Sequence, residues 1–284
     1  MNKNDHLKSL REKIVIRGTV TPLTALHIGW QRSFDPVESD APVIKDPQGN
    51  PIIPGSSFKG VLRSFIEGFL DGAELPERLK PCFPTDNESC IDEKEIEKIK
   101  NSVAKEKKES EIAKYVTEKA CPVCRIFGSS FMGGKLKIKD MPVDKEKWHE
   151  AFLRIRDGVV IDRDSRTARD KGKYDFETVS PGVPFSLEIM GDNLEDEEKG
   201  LIFTAFDLIS QGFSSLGGNV SRGTGRIKID LTAIEILNTK RLFHQYTDNG
   251  KIEPEKKTGD ELKKYETEMK DTFFKTFNQE ATHV

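Results

Sequence analysis

No apolar run in the chain approaches the roughly 20 residues needed to cross a bilayer. Only 35% of its 284 residues are hydrophobic while 33% are charged, the balance of a soluble globular protein. The first residues, Met1 to Lys13, are polar and carry no apolar signal core, so no export signal is expected and the cytoplasm is the expected compartment. Cysteine is scarce, with 4 residues, which excludes a disulfide scaffold. Few Cys and Met beside abundant Lys and Glu are compatible with a heat-adapted source. There are only 2 Trp and 4 Tyr, and the aromatic sheet-surface signature of ordinary RNA-recognition domains is missing, so base stacking on an open sheet is not predicted. No sign of charge dominates. A net charge of −3 argues against a sticky nucleic-acid coat but averages over local asymmetry and leaves room for a basic groove. No internal repeat is found.

What is present is a sequence of elements long enough to bury one large core or two modest ones. Lys13 to Val20 alternates as a strand; Pro42 to Ile53 reads as a short hairpin turning at Gln48-Gly49-Asn50; Ser56 to Leu70 reads as a helix. Cys82 to Cys124 reads as an insertion containing one charged helical stretch, Asp92 to Lys119, and a strand near Lys135 to Lys139 resumes the core. Arg154 to Tyr174 is polar and cation-rich. Phe176 to Ile189 is strand-like around the turn Ser180-Pro181-Gly182-Val183-Pro184, Glu197 to Gly212 is an amphipathic helix, and Arg226 to Leu231 is a final strand. Beyond Leu237 comes a charged tail, expected to be helical from about Asp260 to Phe277. This order suits an α+β, ferredoxin-like (RRM-like) core with long insertions.

Several motifs carry chemistry. In Pro54-Gly55-Ser56-Ser57-Phe58-Lys59-Gly60-Val61-Leu62-Arg63 a turn opens into a helix. Ser56 or Ser57 is expected to cap it, leaving other N–H groups for an anion, and Lys59 and Arg63, four apart, project from one face. The bland alternative is a capped amphipathic helix with two surface cations. His27 lies in Ala25-Leu26-His27-Ile28-Gly29-Trp30, ahead of an acidic loop with Asp35, Glu38 and Asp40; a structural histidine and a solvated turn are the plain readings of these. Leu216-Gly217-Gly218-Asn219-Val220-Ser221-Arg222-Gly223-Thr224-Gly225-Arg226-Ile227 is either a tight hairpin or a concavity where glycine amides and two arginines meet phosphate. Because it follows a helix and enters a strand, a dinucleotide or kinase phosphate loop is poorly supported. Cys82-x7-Cys90 and Cys121-Pro122-Val123-Cys124 supply all four thiols in one region. The second pair has knuckle spacing, and structural Zn2+ is favoured over free thiols or a redox pair.

At His27 and Gly29, the acidic loop and Ala41-Pro42-Val43-Ile44, the helix entry and the glycine-rich segment, the chain resembles the repeat-associated mysterious protein (RAMP) superfamily. The resemblance is to the backbone subunits of type III CRISPR effector complexes, from about residue 13 to about residue 236, and the cysteine-bearing insertion is similar to the zinc-bearing branch of the D-like subtype.

The resemblance implies one domain over 1–237, with a zinc-binding lid at about 80–126, a thumb hairpin at about 154–175, and a helical tail over 238–284. It implies that Asp40 is the catalytic aspartate of target-RNA cleavage, with Asp35 or Glu38 as possible sharers of that role. His27, Ser56, Ser57, Lys59, Arg63, Arg163, Arg166, Gly217, Gly218, Arg222, Gly223 and Arg226 become RNA contacts. Cleavage is expected to use Mg2+ or Mn2+, and the partners are guide RNA, complementary target RNA, further copies in a head-to-tail filament and other effector subunits. The alternatives are a non-catalytic RNA-binding scaffold of the same superfamily and a guide-precursor processing endoribonuclease.

Overall fold

The structure is a computed structural model and describes residues 9–29, 39–73, 75–76, 79–83, 89–103, 107–162, 164, 166–250 and 253–281. The acidic-loop residues Asp35 and Glu38, and Arg163 of the thumb, lie outside the described residues. In chain order the elements are β1 (Glu12–Pro22), β2 (Ile52–Ile53), α1 (Gly55–Asp71), α2 (Glu93–Ser102), α3 (Lys108–Lys119), α4 (Pro122–Phe127), β3 (Gly128–Ser129), β4 (Met132–Gly133), β5 (Leu136–Ile138) and β6 (Met141–Pro142). They continue with β7 (Leu153–Ile161), β8 (Ala168–Val179), β9 (Phe185–Asp192), α5 (Asp196–Gln211), β10 (Ile227–Asn238), α6 (Thr239–Asn249), β11 (Glu255–Lys257) and α7 (Gly259–Ala281).

Alternation in β1 sends Ile14, Ile16 and Val20 into the core. β1 pairs antiparallel with β9 on one side and β10 on the other, giving the sheet order β11-β10-β1-β9-β5. With α1 between β1 and β5 and α5 between β9 and β10, the core is a βαββαβ ferredoxin-like unit, an α+β fold, with β11 added at one edge. In α1 the buried positions Phe58, Leu62, Ile66 and Leu70 recur every four residues, and α5 buries Leu201, Ile202, Ala205, Phe206 and Ile209. These stripes join the inward side chains of the sheet in one core.

The charged stretch expected as one helix is two, α2 and α3, each amphipathic and contributing Ile96 and Val116 to the interior. The last core strand runs to Asn238 rather than Leu231: a register shift between Arg17 and Gly18 lets β10 continue past Thr232 and bury Ala233 and Ile234. After α6 and β11, helix α7 returns to lie on α5 of its own chain. Gly200 permits the approach, since a Cβ there would stand 2.1 Å from the Met269 carbonyl oxygen. Phe203 meets Tyr265 edge to face with ring centroids 6.2 Å apart, and Lys270 pairs with Asp207 at 2.6 Å. Among the described residues no helix is long and apolar enough to cross a membrane.

The other face of the sheet is paved with ion pairs instead of aromatics. Arg17 and Lys139 share Glu188, Lys13 and Lys137 share Asp192, and Arg17 and Lys256 also reach Glu235. Lys139 first, then Arg17, holds the Glu188 carboxyl below its ordinary range. Burial pushes Asp192 up, but the bonds from Lys137 and Lys13 outweigh it and the net shift is downward. Acids with depressed folded pKa values stabilise the fold above the unfolded range and lose that contribution as pH falls through the folded values. Thermal stability is therefore expected to decline as pH drops below about 4.5, and the decline should shrink in 1 M salt. A melting series across pH 3–7 at two ionic strengths measures both effects.

Candidate functional site

Strand β8 is the scaffold of the site. Beyond Phe176 its hairpin with β7 extends into solvent, and most of β7 is exposed, including Ile155, Val159 and Ile161 beside Arg154 and Arg156. At its base, residues 174–179 turn back on the core and grip the segment 24–45. Leu26 and Val179 exchange backbone bonds of 2.8 and 2.9 Å, and the Glu177 N–H donates to the Ala41 carbonyl at 2.9 Å. The Glu177 carboxylate, itself buried, accepts from the Val43 N–H and the Lys45 ammonium, both at 3.1 Å.

His27 is buried in this frame. Its Nδ1 lies 2.7 Å from the Glu177 carbonyl oxygen, and the Phe176 ring meets it edge-on with centroids 5.6 Å apart. Because a carbonyl only accepts, Nδ1 carries the hydrogen, and in the neutral ring Nε2 is then the acceptor. Gly29 stands against that nitrogen: a Cβ there would be 2.7 Å from Nε2.

Asp40 is exposed but held. Its N–H donates to Asp175 Oδ1 at 2.7 Å, and the Asp175 N–H donates back to Asp40 Oδ2 at 3.1 Å. The Ser39 hydroxyl donates to the same Asp175 oxygen at 2.6 Å. These bonds, the Ser39 hydroxyl first, hold the Asp175 carboxyl below its ordinary range, so it stays ionised at neutral pH. Asp40 and His27 thus hang from β8 positions two apart, which rise about 7 Å along a strand.

The glycine-rich turn closes on the same histidine. The Gly218 N–H donates to the His27 carbonyl at 2.8 Å, the Gly225 N–H to Ala25 at 2.9 Å, and the Thr224 hydroxyl to Gly218 at 2.6 Å. The amides of Gly218, Gly223 and Gly225 are engaged within the protein where the sequence suggested amides turned toward phosphate, and Gly218 and Gly225 serve close packing. Gly217 has φ +89°, and a Cβ would lie 2.2 Å from the His27 carbonyl oxygen. Gly217→Ala is expected to cost about 2–3 kcal/mol and to displace His27. Gly223→Ala has φ +82° but an open surround and should cost about 1 kcal/mol; thermal melts of the two variants check the contrast. The cations of the turn do face outward. Arg222 lies 5.6 Å above the Tyr174 ring, and exposed Arg226 lies beside Gly212.

The entry of α1 differs from the expectation of a serine cap. The helix starts at Gly55 behind Pro54, neither serine side chain caps it, and the Asp140 carboxylate accepts the Gly55 N–H at 2.8 Å. Asp140, remote in sequence, supplies the anion that the first turn attracts. Ser56 is exposed and Ser57 half-buried. Lys59 donates to the Leu136 carbonyl at 3.2 Å, while Arg63 donates to Glu67 at 2.8 Å and to the Gly128 carbonyl at 3.1 Å. Burial, then the neighbouring Arg63 charge, lowers the Lys59 pKa.

Arg63 also feels Cys124 and Cys82. The Sγ atoms of Cys82, Cys90, Cys121 and Cys124 all lie within 4.8 Å of one another, with Cys82 to Cys124 at 3.4 Å and Cys82 to Cys121 at 3.7 Å. Four thiolates about 2.3 Å from one tetrahedral ion would be about 3.8 Å apart. Backbone amides donate to two of the sulfurs, Cys121 N–H to Cys90 and Cys124 N–H to Cys121, both at 3.4 Å. The donor set and spacing fit a structural metal ion. Behind it Arg125 and Lys135 converge on buried Glu198 at the start of α5, at 3.7 and 2.6 Å, tying the cysteine-bearing α4 to the core.

A sequence profile of the RAMP superfamily matches residues 19–228, the span from β1 through the glycine-rich turn into β10. The chain belongs to the RAMP superfamily. Among the relatives of this RAMP protein is the CRISPR system Cms endoribonuclease Csm3 of Methanocaldococcus jannaschii, 26% identical over 257 residues that cover 86% of this chain and 89% of the relative. The proteins of the same name from Enterococcus italicus and Streptococcus thermophilus are 26% and 25% identical over 230 and 241 residues. Those alignments cover 79% and 82% of this chain and 93% and 92% of the relatives.

Of the residues singled out from the sequence of this RAMP protein, His27, Asp40, Gly217, Gly218 and Arg222 converge at the base of the β7–β8 hairpin, and Gly223 and Arg226 continue the same turn. Arg166 is exposed at the far end of the hairpin, with φ +53°. Lys59 and Arg63 belong to a second region, on α1 beside β5 and the cysteines. Sequence reasoning missed Asp175, Glu177, Tyr174, Phe176 and Lys45. For residues 174–177 the only local signal is the alternation of charged and aromatic residues in Lys173-Tyr174-Asp175-Phe176-Glu177, which says strand but names no partner, because the partners of Asp175, Phe176 and Glu177 lie more than 130 positions upstream.

Proposed function

We propose that this RAMP protein is a guide-RNA-binding backbone subunit of a type III CRISPR effector, arranged head to tail along the guide and cutting the paired target at regular intervals. The observation that carries the reading is the joint attachment of Asp40 and His27 to strand β8, at the foot of an exposed hairpin that carries arginines and apolar side chains. The full-length similarity to proteins named Csm3 endoribonucleases supports it.

In the proposed reaction the 2′-hydroxyl of one target nucleotide attacks the adjacent phosphorus. The O2′–P bond forms and the P–O5′ bond breaks, leaving a 2′,3′-cyclic phosphate and, once the departing oxygen takes a proton, a 5′-hydroxyl. Asp40, exposed and set on a carboxylate-rich loop, takes the proton from O2′. Asp40 would be an oxygen ligand for a magnesium or manganese ion, which when bound would supply charge stabilisation on the phosphate. His27 presents Nε2 as an acceptor suited to a ribose hydroxyl, and Arg222, Arg226, Arg154 and Arg156 neutralise phosphates. The hairpin inserts exposed apolar side chains of β7, such as Val159 and Ile161, between nucleotides and interrupts the duplex, freeing the phosphate beside it for attack. Sequence selection comes from guide pairing, with the protein holding backbone and shape.

The ion proposed for the cysteine cluster is zinc. Four thiolates close its coordination shell, so its role is to hold α2, α3 and α4 on the core rather than to take part in cleavage.

The test is a labelled RNA complementary to a guide bound by the assembled protein, incubated with magnesium or manganese. Regularly spaced cuts ending in cyclic phosphate are expected. A target that binds and stays whole would make the protein a scaffold; cuts in a guide precursor without any target would make it a processing enzyme.

A further inference from the structure

The cutting residue of the proposed function is bonded to strand β8. Ser39, Asp40 and Ala41 are all hydrogen-bonded to β8, and two of those bonds end on one oxygen, Asp175 Oδ1, which accepts from the Ser39 hydroxyl at 2.6 Å and from the Asp40 N–H at 2.7 Å. The Asp175 N–H returns a bond to the Asp40 carboxylate at 3.1 Å. Asp175 pairs across the hairpin with Asp157 and stands next to Tyr174, on whose ring Arg222 rests. One side chain therefore joins the acidic loop to the hairpin at the point where it leaves the core.

Resting on the proposed function, we infer that Asp175 is a positioning residue for Asp40, clasping residues 39–40 to the foot of the hairpin so that the cutting carboxylate is set by the strand that meets the duplex. The Asp175 carboxylate does not touch the reacting atoms. Its two acceptor bonds fix the loop backbone, and its amide fixes the rotamer of Asp40 by holding Oδ2. Because the clasp spans two elements that approach only in the folded chain, movement of the hairpin on RNA moves Asp40 with it.

The experiment compares native, Asp175→Ala, Asp175→Asn, Ser39→Ala and Asp40→Ala proteins assembled on one guide. Single-turnover cleavage is measured at saturating manganese, together with target binding and hydrogen exchange of the 39–43 segment. Asp175→Ala is expected to lower the cleavage rate about 100-fold, the scale of a misplacement near 1 Å, with target binding within about two-fold and with the Asp40 amide losing protection. Asp175→Asn keeps the side-chain oxygen that accepts both bonds and should restore the rate to within about five-fold of native and restore protection. Ser39→Ala, which removes one of the two bonds, should fall between and stands in if Asp175→Ala does not assemble. Asparagine as inactive as alanine would show that the charge acts directly and overturn the positioning role. Native cleavage in Asp175→Ala, or unchanged exchange at Asp40, would overturn it as well. If the native assembly leaves target whole while exchange in Asp175→Ala rises as expected, the clasp stands and the nuclease reading falls.

Discussion

Asp40→Ala is expected to reduce target cleavage at least about 10³-fold, within the range assigned to a lost general base, while guide and target binding stay within about two-fold. The separation follows from where the residue sits. Asp40 is exposed, and among the described residues its carboxylate accepts from the Asp175 amide. Truncating it leaves no cavity and leaves its own N–H on Asp175 Oδ1, so the loop should keep its course. The contacts proposed for RNA come from other elements: His27 through Glu177 and the glycine turn, Arg222 through Tyr174. Cleavage gels and a binding titration on the same assemblies distinguish the cases. Equal loss of binding and cutting would make Asp40 a structural loop residue, and undiminished cutting would move the proton acceptor into the remainder of the acidic loop.

The second large effect belongs to the cysteines. Cys124→Ser should lower the unfolding midpoint by about 10 °C, corresponding to about 3–5 kcal/mol in a chain of this size. The Cys124 side chain is fully buried with the Cys82 sulfur 3.4 Å away, so serine both shrinks the donor and removes a soft ligand from a site that must be complete to bind. The loss should propagate, because α4 is held through Arg125 to Glu198 at the start of α5 and Gly128 receives Arg63 of α1. A chelator should reproduce the shift in the native protein and add nothing in the variant, and metal analysis should find about one zinc per native chain. Cys90→Ser, at the half-exposed corner of the cluster, should lower the midpoint less. A native protein without zinc whose melting is indifferent to the chelator would reduce the cluster to four packed thiols.

Much of the core was legible because its signals are local. The alternation of Ile14, Ile16 and Val20 marks a strand, and the four-residue stripe of α1 marks a buried helix face. The βαββαβ order follows from reading such segments in sequence. Ends that depend on distant partners were not legible. Residues Ser56 and Ser57 have the chemistry of a cap, yet Asp140 takes the position because β5 and the segment after it pack against the helix entry. The continuation of β10 beyond Leu231 is likewise settled by its pairing with β1.

The sequence by itself determined the order of elements that suits the class of fold and the single cluster of four cysteines, since each rests on residue type and short spacing along the chain; His27 and Asp40 were singled out by the resemblance to the RAMP superfamily. Only the tertiary structure decided what holds them. Asp175 and Glu177 become partners of Asp40 and His27 because β8 runs beside segment 24–45, glycines at 217 and 218 are required because the turn closes on His27, and α7 folds onto α5 because Gly200 lets the two backbones approach. Hydrogen bonds and close packing act over a few ångströms in space whatever the distance along the chain, so contacts across more than a hundred residues leave no spacing pattern to read.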